Sequence, residues 1–210
     1  MNKTTEPRKD RWPAFRQLAQ RIRVPAGFVL APLLFIVASP TRASLIAGAA
    51  ISVLGLGLRA WASGYLRKNR ELTTSGPYAH TRNPLYLGTL LLGAGVAIGS
   101  GRVWFIALFV ALYLLIYVPV MSAEADTMRY LFPEEYETYS REVPLFIPRV
   151  TAYRPPAVGP GGVNSAGPSD ARVRKFEGAQ YIRHREYRAA IGWVVAYALL
   201  AAKMYLLGPR

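Results

Sequence analysis

No cysteine occurs among the 210 residues, and histidine occurs only twice, at His80 and His184. The first absence removes disulfides, thiolate metal sites and cysteine nucleophiles, while leaving the compartment open. The second leaves no metal site to expect, because the two histidines lie far apart and neither has a ligand-spaced partner. Any chemistry must use oxygen and nitrogen groups. Acidic residues are scarce as well, 12 against 26 lysines and arginines, for a formal net charge of +14. Such a balance suits nucleic acid in principle. Here, however, the basic residues lie beside apolar runs, where anionic lipid headgroups and membrane topology explain them, and no nucleic-acid partner is expected.

With 52 % of residues hydrophobic and 18 % charged, the chain is too apolar for an average soluble domain and too charged for bare helices in lipid. The two kinds must be segregated, and long uncharged stretches do alternate with short basic ones. The expected fold is all-α, a polytopic transmembrane bundle of about five spans, with motif loops re-entering at the cytoplasmic face and short interfacial helices.

Residues 1–23 read as a basic tail with an interfacial helix around Ala14–Arg23, ahead of a first apolar run at Val24–Ser39 that contains Pro25 and Pro32. A cleavable signal peptide is the weaker reading, since the lead is long and no small-residue cleavage site is clear. The second run, Ala43–Leu66, carries Gly48, Gly55 and Gly57, which would admit a close neighbour, and Arg59, expected to snorkel. Runs at Pro84–Gly99 and Val103–Ala123 flank a Gly-Ser-Gly-Arg link and read as a hairpin, completing a four-span core over residues 24–150. Pro133, Glu134 and Glu135 open a short helix that ends before Pro144. Residues 151–171 are a Pro/Gly-rich linker. Residues 172–210 are a basic interfacial helix and a last span, Ala189–Leu207, with Lys203 near its far end.

Lysine and arginine counts orient the bundle. Seven lie in the tail through Arg23, five between Arg59 and Arg82, and ten between Ala123 and Arg188, leaving Arg42, Arg102, Lys203 and Arg210 on the other side. The N-terminus is therefore expected in the cytoplasm. Two polar segments, Gly76–Gly88 and Glu124–Pro148, then emerge together on the cytoplasmic face.

Those segments hold the chemistry-bearing patterns. In the first, Gly76-Pro77-Tyr78 is followed by Arg82-Asn83-Pro84-Leu85-Tyr86-Leu87-Gly88. Pro84 suits the first turn of a helix whose backbone N–H groups and positive dipole end face an anion such as a carboxylate, with Arg82 alongside. In the second, Glu124 and Asp126 follow a long uncharged run where a span leaves the membrane, placed to receive a cation, and acids at that depth are expected to have partners. Read blandly, Arg82 obeys the positive-inside rule, and Tyr78, Tyr86, Tyr136 and Tyr139 form an interfacial aromatic belt.

The pair of segments resembles the isoprenylcysteine carboxyl methyltransferase and phospholipid N-methyltransferase family of integral membrane enzymes. In that family Gly-Pro-Tyr and Arg-His-Pro-x-Tyr-x-Gly open a transmembrane hairpin, and a Glu-Glu pair, Tyr-x-x-Tyr and a Pro-x-x-Ile-Pro-like tail follow it. The similarity covers roughly Thr74–Arg149, about a third of the chain, with both motifs in order. It implies S-adenosylmethionine as cofactor, bound at the cytoplasmic face, and methyl transfer to a lipophilic or lipid-like acceptor. Tyr78, Arg82, Asn83, Pro84, Tyr86, Gly88, Glu124 and Asp126 are then the candidate cofactor pocket, with Arg82 and Glu124 the candidate catalytic residues. Two positions depart from the pattern. Asn83 stands where the family has His, so a protonatable group is missing, and Ala125 stands where it has the second Glu, with Asp126 the nearest substitute. An NADPH-dependent sterol-type reductase has a similar motif layout, and a non-catalytic protein keeping the fold is the other alternative.

Overall fold

The computed structural model describes residues 14–66, 71–155 and 176–207, apart from the side chains of residues 23, 24 and 207. Most of the expected tail and of the Pro/Gly linker, together with the start of the basic segment, lies outside these residues. Everything described is helix or connection. The helices are α1 (Ala14–Val37), α2 (Arg42–Tyr65), α3 (Pro84–Gly99), α4 (Val103–Leu131), α5 (Pro133–Glu142), α6 (Gly178–Arg183) and α7 (Tyr187–Leu207), with a 3-10 turn at Gly76–Ala79.

The interfacial helix expected to stop at Arg23 instead continues into the first apolar run. Its two parts, Ala14–Ile22 and Pro25–Val37, meet at 51°, a bend at Pro25, whose ring blocks the preceding turn and removes a hydrogen bond. Helix α2 starts on a capping box, with Ser44 N donating to Thr41 Oγ1 and Thr41 N donating to Ser44 Oγ. Helix α4 runs two turns past the expected end at Ala123, so Glu124 and Asp126 are helical. Three helices, α2, α4 and α7, are long and apolar enough to cross a membrane, and a fourth if the bent α1 crosses as one. A count of five is not confirmed among the described residues, where α3 is a shorter apolar helix of 16 residues, about 24 Å at 1.5 Å per residue against a hydrocarbon core of about 30 Å.

The tightest packing joins α2 to α3, and the α3–α4 hairpin packs beside it. Glycines make it so. A Cβ on Gly55 would stand 2.5 Å from Leu92 N, and one on Gly48 would stand 2.6 Å from Gly99 N. Ser52 Oγ donates across the seam to Leu92 O at 3.2 Å. Gly57 faces open space. Between lipid-bathed helices close approach of small residues replaces the hydrophobic driving force.

Helix α7 completes the bundle. Tyr197 OH donates to Gly95 O at 2.9 Å, and Lys203 Nζ donates to Phe35 O at 2.6 Å and Ile36 O at 2.9 Å, capping the carbonyl end of α1. Ser39 N also donates to Ser100 O at 2.7 Å, so this end of the bundle holds the α1–α2 and α3–α4 turns. Both motif segments lie at the opposite end.

The seam predicts a graded response to one substitution. Gly48→Ala and Gly55→Ala should each cost about 1–3 kcal/mol by overpacking, whereas Gly57→Ala should be neutral or slightly stabilising because alanine is the better helix former. Thermal unfolding in detergent measures this. Equal effects at all three positions would refute the assigned seam.

Candidate functional site

The C-terminal tail of the core is laced onto the first motif by backbone and side-chain hydrogen bonds. Helix α5 ends before Pro144, and Pro144 and Pro148 keep the following chain from coiling, so its carbonyls remain available. Arg82 N donates to Pro144 O at 3.0 Å, Asn83 Nδ2 to Leu145 O at 2.9 Å, and Thr81 Oγ1 to Phe146 O at 2.9 Å. His80 Nδ1 donates to Arg149 O at 2.9 Å, which requires the proton on that nitrogen. Arg149 N and Tyr153 N return bonds to His80 O and Ala79 O. Beneath this lacing Ala79, Tyr136, Tyr139, Val143 and Tyr153 form a buried cluster. Tyr139 OH donates to Tyr78 O at 2.6 Å. Tyr78, Tyr136 and Tyr139 are all buried, so the belt reading fails for these three: the tail covers them.

Arg82 turns inward. One terminal nitrogen donates to Tyr136 OH at 2.8 Å, and its guanidinium carbon lies 5.6 Å from the Tyr136 ring centre. Arg129 stands at 5.8 Å over the same ring. Arg82 Nε is buried with no hydrogen-bond partner among the described residues. Beside it α3 begins with Pro84 at its first position and no side-chain cap from Asn83.

The acids at the end of α4 face different ways, as a step of about 100° per residue requires. The exposed Glu124 accepts from Tyr86 OH at 2.6 Å. Tyr86 packs on Tyr117 with ring centres 5.4 Å apart, Tyr117 stacks on Tyr113 at 4.3 Å, and Tyr113 OH donates to the Tyr86 carbonyl at 2.6 Å. Ala125 packs against the buried aromatic cluster. Asp126 points away from Tyr86 and pairs with Arg16 of α1 and, at 3.4 Å, with Arg129.

Arg59 also departs from its expected behaviour. It does not snorkel: its guanidinium donates to Thr89 Oγ1 and pairs with Glu186 at 2.7 Å, the two charged side chains only 20 % and 10 % exposed. Gly88 is buried under it, and a Cβ there would stand 2.7 Å from Arg59 Cγ. A charge inside an apolar run was the signal that a partner existed. Glu186, one of two acids in a basic stretch, was the partner that local pattern could not name. Among the described residues no three histidine, aspartate or glutamate side chains gather as a metal site.

A family model described as phospholipid methyltransferase matches residues 28–135. The chain belongs to that family. Two curated relatives carry names from metal resistance. A cobalt-zinc-cadmium resistance protein, CzcN, of Cupriavidus metallidurans is 37 % identical over 144 residues, covering 63 % of this chain and 64 % of that protein. A nickel-cobalt-cadmium resistance protein, NccN, of Alcaligenes xylosoxydans xylosoxydans is 32 % identical over 98 residues, 46 % of each. The chain thus spans less than two thirds of the length of the relatives it matches. No solved structure matches it.

Within this phospholipid methyltransferase family member, the matched stretch holds Arg59, Arg82, Tyr86 and Glu124, while Tyr136, the tail carbonyls and Glu186 come after it. The structure therefore brings together both motif segments and adds residues from beyond the family match. Burial pushes the Tyr139 phenol well above its ordinary value, and Tyr78 likewise, with the charges of Glu124 and Glu186 adding to the rise at Tyr78.

A raised tyrosine pKa favours the neutral phenol in the fold, so its stabilisation is complete below the unfolded value of about 10 and is lost as pH rises beyond it. Thermal unfolding should accordingly be insensitive to this group near neutrality and fall above about pH 10. Tyr139→Phe should cost about 1–3 kcal/mol at neutral pH, by orphaning the buried Tyr78 carbonyl, and should flatten the alkaline decline. An unchanged decline would refute the contribution of Tyr139.

Proposed function

We propose that this protein is an integral membrane methyltransferase that takes S-adenosylmethionine from the cytoplasm and methylates a carboxylate or amine on a lipophilic or lipid-like acceptor entering from the bilayer. The observation that carries the reading is the inward-turned Arg82, with a buried, unpartnered Nε beside the uncapped start of α3. Membership of the phospholipid methyltransferase family supports methyl transfer as the reaction, and the polar end of a helical bundle with three or four candidate spans supports a lipid-side acceptor.

The residues fit that cofactor. It presents a carboxylate, which Arg82 Nε and the positive end of α3 suit, and cationic and hydroxyl groups, which the exposed Glu124 carboxylate suits. When bound, S-adenosylmethionine would supply an activated methyl group on a sulfonium for the acceptor's lone pair, the C–S electron pair remaining with sulfur. What the chain contributes is position and dryness. Tyr136 orients Arg82, Tyr86 orients Glu124, and the Pro144–Phe146 tail covers the motif from water. Alignment of reactants alone reaches roughly 7–11 kcal/mol in favourable cases. No protonatable group is needed at position 83 for an acceptor that arrives as a carboxylate or free amine, and Asn83 serves instead to hold Leu145.

A second reading has its own support. Ala125 faces an apolar cluster, Asp126 is committed to arginines, and both relatives are named for metal resistance rather than for a methylation, so a member that keeps the fold without catalysis is the rival. Titration of the purified protein separates them. S-adenosylmethionine should bind, and Arg82→Ala and Glu124→Ala should each weaken binding tenfold or more, while Arg141→Ala, an exposed arginine paired with Glu137, should not. Binding of NADPH alone would favour a reductase, and binding of neither by folded protein would favour the non-catalytic rival.

The cytoplasmic orientation has a separate test, made clean by the missing cysteines. A membrane-impermeant thiol reagent should reach Glu134→Cys only from the cytoplasmic side and Val103→Cys only from the opposite side. The reverse pattern would invert the bundle.

A further inference from the structure

The C-terminal span follows the stretch matched by the family, yet its head reaches into the motif. Glu186, the residue before α7, accepts from Arg59 NH2 at 2.7 Å. Arg59 NH1 donates to Thr89 Oγ1, and Thr89 Oγ1 donates onward to Leu85 O at 2.8 Å. Leu85 sits in the first turn of α3, between Pro84 and Tyr86 and three residues from Arg82. A continuous polar chain therefore runs from α7 through α2 to the helix start that presents the candidate site.

Three observations indicate that this chain is built rather than incidental. A guanidinium and a carboxylate so far from solvent are costly unless paired and hydrogen-bonded, and removing one partner strands the other. The crossing is open only because Gly88 has no side chain under Arg59. The turn that aims Glu186 is strained: Arg185 takes φ +56°, a left-handed conformation that a long side chain rarely adopts. His184 Nε2 on Leu66 O at 3.2 Å and Glu177 N on Gly64 O at 3.0 Å hold that turn against the end of α2.

We propose that Glu186 is a positioning residue: through Arg59 and Thr89 it holds the first turn of α3, and so Arg82 and Tyr86, making the C-terminal span a working part of the site. The functional consequence rests on the cofactor reading above, but the geometric claim does not. The test uses the full chain in detergent, reading amide hydrogen exchange at residues 85–89 and affinity for S-adenosylhomocysteine. Glu186→Ala should speed exchange there at least tenfold and weaken binding at least fivefold, and Glu186→Asp, which keeps the carboxylate, should recover most of both. Lys203→Met, which loosens the far end of α7, should change neither. If Glu186→Ala fails to fold, Glu186→Gln, which keeps the shape without the charge, is read in its place.

Unchanged exchange at residues 85–89 would overturn the proposal, as would equal effects from Lys203→Met, which would mean that α7 acts by bulk packing. If the wild-type chain binds no S-adenosylhomocysteine while loss of Glu186 still loosens α3, the positioning role stands and the cofactor reading falls.

Discussion

Helices α2 and α3 approach until glycine backbones touch, and the polar architecture at one end of the bundle depends on that approach. Gly48 and Gly55 face the α3 backbone, and Gly88 and Gly95 face α2, where the Ser52 and Arg59 side chains use the space that a Cβ would take. In a bilayer such contact replaces the hydrophobic force that lipid tails abolish. It also sets where long side chains can go. Arg59 lies across Gly88 to reach Thr89 and Glu186, a path that any larger residue at position 88 would close. A charge that looked like an interfacial anchor is thereby an internal strut.

The second organising element is the tail after α5, which acts as a cover because prolines deny it a helix. Its carbonyls find donors in Thr81, the Arg82 backbone and Asn83. A departure from the family pattern gains a physical role in this way: the Asn83 amide donates to Leu145 O, a neutral bond that holds the cover at any ordinary pH. The same cover buries Tyr78, Tyr136 and Tyr139, and Tyr136 then fixes Arg82 from below while leaving its Nε unpartnered. At Ala125 the departure has a different reason, since that position of α4 faces the apolar cluster while Glu124 and Asp126 on either side face polar partners.

Much of the framework was legible along the chain. Pro84 and Gly99 bound α3 where expected, Pro133 and Pro144 bracket α5, and the apolar runs mark α2, α4 and α7. The meeting of the two motif segments followed from helix directions alone. The continuity of α1 was less legible, because two prolines and a change of polarity mimic a boundary where the backbone only bends. The length of α4 was hidden by Glu124 and Asp126, which end an apolar run without ending a helix.

What the sequence by itself determined was therefore local: which stretches are helical, which are apolar enough for lipid, where prolines stop them, and which two segments carry polar chemistry. Those properties follow from propensity, hydrophobicity and backbone sterics within a few residues. The tertiary structure decided the partners: Glu186 for Arg59, Tyr136 for Arg82, Tyr86 for Glu124, and Arg16 rather than the motif for Asp126. Each pair joins residues far apart in the chain, and its formation depends on helix approach, rotation and the small residues between, quantities that no local pattern of side chains encodes.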